Sequence, residues 1–271
     1  MDAGRARTRE GRAPQIVPPT VSRLLAYLIA TVIGEGFAAR GDATLAIAVH
    51  LAVLFALLFD GATLSTREPA LARLLIAMTL APTLRVLSLS VPFWQFTIIQ
   101  WLALMTVPLL AACYAILRAL PLTRKAVGLT LGPLHGLPSQ VGIALTGIPL
   151  GAAEFLLLRP TAWIADYSAA SFGFAVLAIA LATGLAEELI FRGILQQVGG
   201  RVLGPMNGLL YVTALFAALH LGSGAIADVG FAFAVGLLYA WLVLRTRTLS
   251  GVVVAHTLIN VMLYLVVPRL V

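Results

Sequence analysis

The chain has 271 residues, of which 61% are hydrophobic and only 11% are charged. Soluble domains carry about 25% charged residues, so this composition excludes an ordinary soluble domain and indicates an integral membrane protein. The net charge of +7 could suggest a nucleic-acid partner, but the basic residues lie in the N-terminal arm and between apolar runs. That distribution follows membrane orientation better than nucleic-acid binding. The single cysteine, Cys113, excludes an intrachain disulfide and a CxxC metal site.

Residues 1–20 form a basic arm that contains four arginines, Arg5, Arg7, Arg9 and Arg12. Its polar, proline-containing composition predicts disorder. Arginine and lysine are enriched in cytoplasmic segments of membrane proteins, so we expect the N-terminus to lie in the cytoplasm.

Nine apolar runs follow this arm, and each one is a candidate membrane helix. They cover residues 21–38, 43–59, 71–91, 96–117, 139–158, 171–195, 205–222, 228–244 and 249–267. The first run, LLAYLIATVI and its flanks, is short and is followed by Glu35, so it could cross the membrane, lie on its surface or belong to a signal peptide. Basic residues recur in alternate connections, and the basic arm fits this pattern only if the first run also crosses. We therefore predict an all-α polytopic membrane protein with eight or nine transmembrane helices around a polar intramembrane cavity, and favour nine.

Three charged residues interrupt the sixth run, in the segment AEELIFRG at residues 186–193. A charge near the bilayer centre costs about 2.5–3.5 kcal/mol on insertion scales, so such residues face a protein interior or a water-filled cavity and are usually functional. Glu188 and Arg192 are four residues apart in the order that favours an ion pair, which leaves Glu187 as the freer carboxylate. Gly184, one turn earlier, would leave space beside Glu187, whose carboxylate would suit a general base. The alternative is a buried ion pair that only fixes helix packing.

Two later runs each carry a histidine paired with another residue at helical spacing. Phe216 and His220 are four residues apart, as are His256 and Asn260, so each pair shares one helix face. With Glu187, these side chains could do either of two things. They could bind a divalent metal through the glutamate and the two histidines. Alternatively, Glu187 could activate water directly while a histidine and Asn260 stabilise the oxyanion.

Other polar or small residues in the runs have weaker interpretations. His50 has no acidic neighbour at helical spacing and is interpreted as a core residue. Glu154 and Arg85 could pair across helices or face the cavity, but the sequence identifies no partner. Gly147 and Gly151 form a GxxxG pattern, which indicates close contact between helices.

Three short motifs, in this order on successive membrane helices, resemble those of a known family. EELIFR at residues 187–192 fits EExxxR, FAALH at 216–220 fits FxxxH, and HTLIN at 256–260 fits HxxxN. The ordered trio resembles the CPBP intramembrane proteases, also called the Abi family, which include the type II CAAX prenyl endopeptidases. The resemblance covers residues 139–267, interpreted as a catalytic membrane region, and leaves residues 21–138 as N-terminal transmembrane helices.

The resemblance implies an all-helical membrane fold with a cavity for peptide cleavage. It implies that Glu187 activates water, that His220 and His256 are essential, and that Asn260 stabilises the oxyanion. Glu188 and Arg192 would support the site, as would Phe216 and Gly184. The family is commonly described as metalloproteases, with zinc as the candidate metal held by Glu187, His220 and His256, although a metal-free glutamate mechanism is also argued. The more specific zinc signature HExxH is absent from the sequence.

The sequence therefore predicts an intramembrane endopeptidase that acts on a membrane-associated protein or peptide, including CAAX-type processing as one option. We expect it in a bacterial cytoplasmic membrane, with the lipid bilayer and a peptide substrate as partners and no nucleic acid. Two alternatives stay open at this point. One is a non-catalytic immunity or adaptor protein on the same scaffold, and the other is a proton-coupled transporter that uses the carboxylates as a relay.

Overall fold

The structure is a computed structural model that describes residues 18–91, 95–132 and 136–271. All regular secondary structure in these ranges is helical, which confirms the predicted all-α polytopic class. Residues 1–17 of the basic arm, predicted to be disordered, lie outside the described residues. The same holds for His135, for which the turn-rich segment GPLHGLP predicts an exposed loop position.

Nine helical stretches in the described ranges are long and apolar enough to cross a membrane. They are Thr20–Ala39, Ala43–Leu64, Pro69–Ser90, Ile98–Ala119, Leu137–Leu158, Ala169–Leu203, Pro205–Ser223, Ile226–Thr246 and Ser250–Leu270. The first stretch is long enough despite Glu35, which supports the nine-helix prediction over eight helices plus a surface helix. Cys113 is buried in the main apolar core, as its apolar surroundings in the sequence indicate.

Several of these stretches consist of two or more helical segments joined without a loop. The α-helices are α1 Pro18–Ala39, α2 Ala43–Leu64, α3 Pro69–Met78, α4 Leu80–Ser90, α5 Ile98–Ala119, α6 Leu137–Leu145, α7 Gly147–Leu158, α8 Ala169–Ile179, α9 Gln196–Leu203, α10 Pro205–Ala218, α11 Ile226–Thr246, α12 Ser250–Val261 and α13 Val267–Leu270. Between α8 and α9 the helix widens into π-helical turns at Ala180–Glu187 and Leu189–Leu195. A third π-helical turn, Met262–Val266, follows α12, and a 3₁₀ turn, Leu219–Ser223, follows α10.

The wide-turn segment between α8 and α9 runs through the middle of the protein. All seven residues of Leu189–Leu195 are buried, and they pack with α3, α10 and α11 in the main apolar core. A helix that is apolar on every side must be surrounded by protein or lipid, and here protein surrounds it. Its charged residues therefore face neighbouring helices.

Helix α12 is held closely by α6 and α7, which precede it in the chain by about a hundred residues. A side chain on Gly147 would collide with the Ala255 carbonyl, and one on Gly151 with the Ile259 carbonyl. The predicted GxxxG contact is therefore present, and α12 is its partner. The Gln140 side chain accepts a hydrogen bond of 2.8 Å from the Gly251 amide at the start of α12. These contacts fix the helix that carries His256 and Asn260.

Candidate active site

A cavity of about 240 Å³ lies inside the helical bundle, and the side chains of all three motifs reach it. Its lining includes Glu187, Glu188, Arg192, Phe216, His220, His256 and Asn260. His220 reaches this level because α10 begins at Pro205 and a 3₁₀ turn carries the histidine after α10 ends. The structure thus brings together all of the predicted site residues except Gly184.

Glu188 is fully buried and its Oε1 atom meets two partners. Arg192 Nη1 lies 2.9 Å from this oxygen and His256 Nδ1 lies 2.8 Å from it. The Glu188–Arg192 ion pair is the one that the sequence predicts, whereas the contact with His256 was not predicted. A carboxylate at Nδ1 fixes the orientation of an imidazole ring and leaves Nε2 to face other groups. Glu188 therefore holds both the arginine and the histidine.

Phe216 contributes both its backbone and its ring to the site. Its carbonyl oxygen lies 3.0 Å from His220 Nδ1, so the FxxxH spacing places a backbone acceptor at the histidine ring. The ring packs edge-on against His220 and His256, with centroid distances of 4.7 Å and 6.3 Å. The Arg192 guanidinium lies over the same ring, 4.2 Å from its centroid. Phe216 thus separates and positions the cationic and histidine side chains.

Asn260 connects α12 to the wide-turn segment. Its Nδ2 donates a hydrogen bond of 3.0 Å to the Thr183 hydroxyl. An amide nitrogen carries two hydrogens, so one donor is left for another acceptor at the cavity.

Gly184 has a different role from the predicted one. The prediction was that it leaves space beside Glu187, but a side chain there would collide with the Thr257 hydroxyl and contact the Val253 carbonyl. The space at Gly184 is filled by α12, so the glycine allows the two helices to approach closely.

The Glu187 carboxylate lines the cavity and differs from Glu188 in its contacts. Within the described part of the chain, no hydrogen bond engages it, although His220, His256 and Arg192 lie within electrostatic range. This is the arrangement expected of a carboxylate that is available to a water molecule or a substrate.

The predicted metal ligands do not form a ligand group in this arrangement. Among the described residues, no set of three histidine, cysteine, aspartate or glutamate side chains is placed to hold a metal ion. Nδ1 of His256 is engaged by Glu188, and Nδ1 of His220 by the Phe216 carbonyl. These contacts involve only the Nδ1 atoms and are of the kind that metal-binding histidines usually make, so the misfit lies in the placement of Glu187, His220 and His256 relative to one another, and metal dependence stays a prediction.

Two further acidic residues, Glu154 and Asp228, line the same cavity. Both are buried. Glu154 is a residue for which the sequence predicts a cavity position or a partner on another helix, whereas no sequence pattern indicates Asp228. Asp228 is the first residue of the predicted apolar run 228–244. Because charged residues are common at the ends of such runs, hydropathy does not indicate that Asp228 reaches the cavity.

A second buried polar cluster, formed by Glu35, His50 and Arg85, lies next to the site. Arg85 Nη2 lies 2.7 Å from Glu35 Oε2, and His50 Nε2 lies 3.0 Å from Glu35 Oε1. His50 is buried, as expected of a core residue, but it is not isolated, because Glu35 reaches it from another helix. A side chain on Gly222 would collide with Glu35, so this cluster packs against the 3₁₀ turn that carries His220.

The nine long apolar helices of the described residues, together with the family match below, indicate an integral membrane protein. Residues 169–262 match the family model described as type II CAAX prenyl endopeptidase Rce1-like. The matched segment contains EELIFR, FAALH and HTLIN, and the match confirms the resemblance predicted from these motifs. No curated protein and no solved structure matches the chain significantly. The family match supports a membrane protease and leaves the substrate and the mechanism to be established.

Proposed function

We propose that this protein is an intramembrane endopeptidase that hydrolyses a peptide bond of a membrane-associated protein or peptide. The observation that carries the proposal is the convergence of Glu187, His220, His256 and Asn260 on one cavity inside the membrane-spanning bundle. These residues come from three different stretches of a segment that matches a protease family. A scaffold protein would need the helices but not this set of polar side chains around one cavity.

Glu187 acts as the general base in this mechanism. A water molecule beside its carboxylate gives up a proton to Glu187 while the water oxygen forms a bond to the carbonyl carbon of the substrate. The carbonyl oxygen becomes an oxyanion, which the free Asn260 N–H and the Nε2–H of a doubly protonated histidine stabilise. The carbon–nitrogen bond then breaks, and the proton held by Glu187 passes to the leaving amine.

Glu188 and Arg192 act through the histidine. Because Glu188 occupies Nδ1 of His256, the ring is fixed with Nε2 available to the cavity. Arg192 balances the charge of Glu188 in a region where an unpaired carboxylate would be costly. The Phe216 carbonyl gives His220 the same kind of support.

The test is hydrolysis by the protein reconstituted in liposomes, offered a mixed library of lipidated and unlipidated peptides. Glu187→Gln keeps the size of the side chain but removes the base, so cleavage should fall by about 10²-fold or more. Glu68→Gln is the matched control, since Glu68 is exposed at the start of α3 and away from the cavity. Preference for lipidated members would support CAAX-type processing.

A chelator arm tests the metal. The side-chain mechanism expects unchanged cleavage after chelation, whereas loss that zinc restores would show that Glu187, His220 and His256 close around a metal when it binds. Cleavage by Glu187→Gln at the wild-type rate would overturn the proposed function and favour a non-catalytic membrane protein.

A further inference from the structure

The cavity holds more acidic than basic side chains. Four carboxylates line it, from Glu154, Glu187, Glu188 and Asp228, against one guanidinium from Arg192. Arg192 is committed to Glu188 by an ion pair of 2.9 Å. Glu187 has the two histidines as neighbours. The carboxylates of Glu154 and Asp228 are left on the cavity wall without a basic side chain of their own.

Glu154 has no structural explanation within its helix. It lies in the second half of α7, is 8% exposed, and its Oε2 atom is buried without a hydrogen-bond partner among the described residues. A buried carboxylate without a partner costs several kcal/mol, so an unmatched one that faces a cavity indicates a missing ligand. Asp228, which is 9% exposed, lies in the first turn of α11, where it also suits the helix dipole.

Glu154 and Asp228 both line the cavity, and the two side chains lie within electrostatic range of one another. Tyr264 lies within electrostatic range of both, and its ring stacks on Trp163 with a centroid distance of 3.5 Å. Trp163 and Tyr264 both line the cavity. Two carboxylates beside aromatic rings form the environment that a lysine ammonium or an arginine guanidinium prefers.

We propose that Glu154, Asp228 and the Trp163–Tyr264 stack form a subsite for a lysine or arginine side chain of the peptide substrate. Glu154 is also within electrostatic range of His256, so the cation would lie close to the bond that is cleaved. A substrate carboxylate at this position would be repelled by the same two residues. The inference rests on the proposed function for its meaning, but the binding of a cation rests on the cavity alone.

The test compares peptides that differ at one position, which carries arginine, lysine, norleucine or glutamate. Wild-type protein should favour the arginine and lysine peptides over norleucine by about tenfold or more in kcat/KM, as expected for a hydrogen-bonded charge pair. The ratio should approach one in Glu154→Gln, and it should fall in Asp228→Asn. The control is Glu68→Gln, which removes one negative charge from an exposed position. This variant should keep the wild-type ratio.

A binding measurement separates this inference from the proposed function. Fluorescent peptides of the same four compositions are titrated onto Glu187→Gln protein, which should bind without cleavage, and thermal unfolding confirms that each variant is folded. If the basic peptides bind preferentially but neither the wild type nor any variant cleaves them, the result would support the subsite and overturn the proposed protease function. Cleavage with no preference for a basic residue would overturn the subsite and leave the protease intact. A preference that survives in both Glu154→Gln and Asp228→Asn would also overturn the subsite.

Discussion

Glu188 lies between Arg192 and His256, and one oxygen atom serves both. In a low-dielectric interior this arrangement makes the carboxylate the link between the helix that carries Glu187 and the helix that carries His256. The loss of its charge would release the histidine and leave the arginine unpaired. Glu188 is therefore a positioning residue, while Glu187 is the residue that would meet the substrate.

We predict that Glu188→Gln lowers kcat/KM by about 10²–10⁴-fold, because a neutral amide removes the negative charge that holds both His256 Nδ1 and Arg192. Breaking a buried ion pair also destabilises a protein by about 3–5 kcal/mol. The measurement is therefore activity per folded protein, with thermal unfolding in detergent beside it. Full activity in a folded Glu188→Gln protein would show that His256 does not need this contact. Glu68→Gln again provides a control for the loss of one negative charge.

For single residues, the sequence predicts those side-chain contacts that follow from the spacing of residues within one helix. The Glu188–Arg192 pair and the pairing of Phe216 with His220 follow from positions four residues apart. The contact between Glu188 and His256 spans 68 residues, and no local pattern encodes it. The same reason explains why His50 was interpreted as isolated, since Glu35 reaches it from a different helix.

The helical elements differ from regular α-helices where the site is built. The π-helical turns at Ala180–Glu187 and Leu189–Leu195 flank Glu188. Such turns are rare and occur frequently at functional sites, where the wider helix changes the direction of side chains. The predicted positions of Glu187, Glu188 and Arg192 rest on the geometry of a regular α-helix. Hydropathy does not distinguish the two helix types, so this difference could not be predicted.

A matched pair of glycines tests the contact between α7 and α12. Gly147→Ala should destabilise the fold by about 1–3 kcal/mol, because its methyl group would press against the Ala255 carbonyl and force the helices apart. Gly142→Ala, in α6 of the same membrane span, has open space around it and should be neutral or stabilise the helix by about 0.5–1 kcal/mol. Thermal unfolding in detergent measures both.

Activity gives the functional part of the same comparison. Because α12 carries His256 and Asn260, Gly147→Ala should also lower the cleavage rate, whereas Gly142→Ala should not. Equal stability and equal activity in the two variants would show that the GxxxG contact is not needed to place α12.

For the whole molecule, the basic connections lie at one end of the bundle. Lys125, Arg201 and Arg247 line one cavity of about 840 Å³, and Arg73 shares a smaller cavity with Arg201. These residues lie in or beside four alternate connections between membrane helices, so the alternation predicted from the sequence appears as a shared face. The positive-inside rule predicts that this face is cytoplasmic.

An odd number of crossings has a consequence for the two ends of the described chain. Nine helices of the described residues are long and apolar enough to cross the membrane. Nine crossings would place residues 18 and 271 on opposite faces of the bilayer, so we predict that residue 271 lies outside the cytoplasm. A reporter enzyme that is active only outside the cytoplasm should therefore be active when it is fused after Val271. The same reporter fused at Leu64, after two crossings, should be inactive. Equal localisation of fusions at residues 18 and 271 would contradict nine crossings. In vesicles with substrate added from outside, the accessibility of a tag at Val271 would measure the fraction of molecules inserted in each direction.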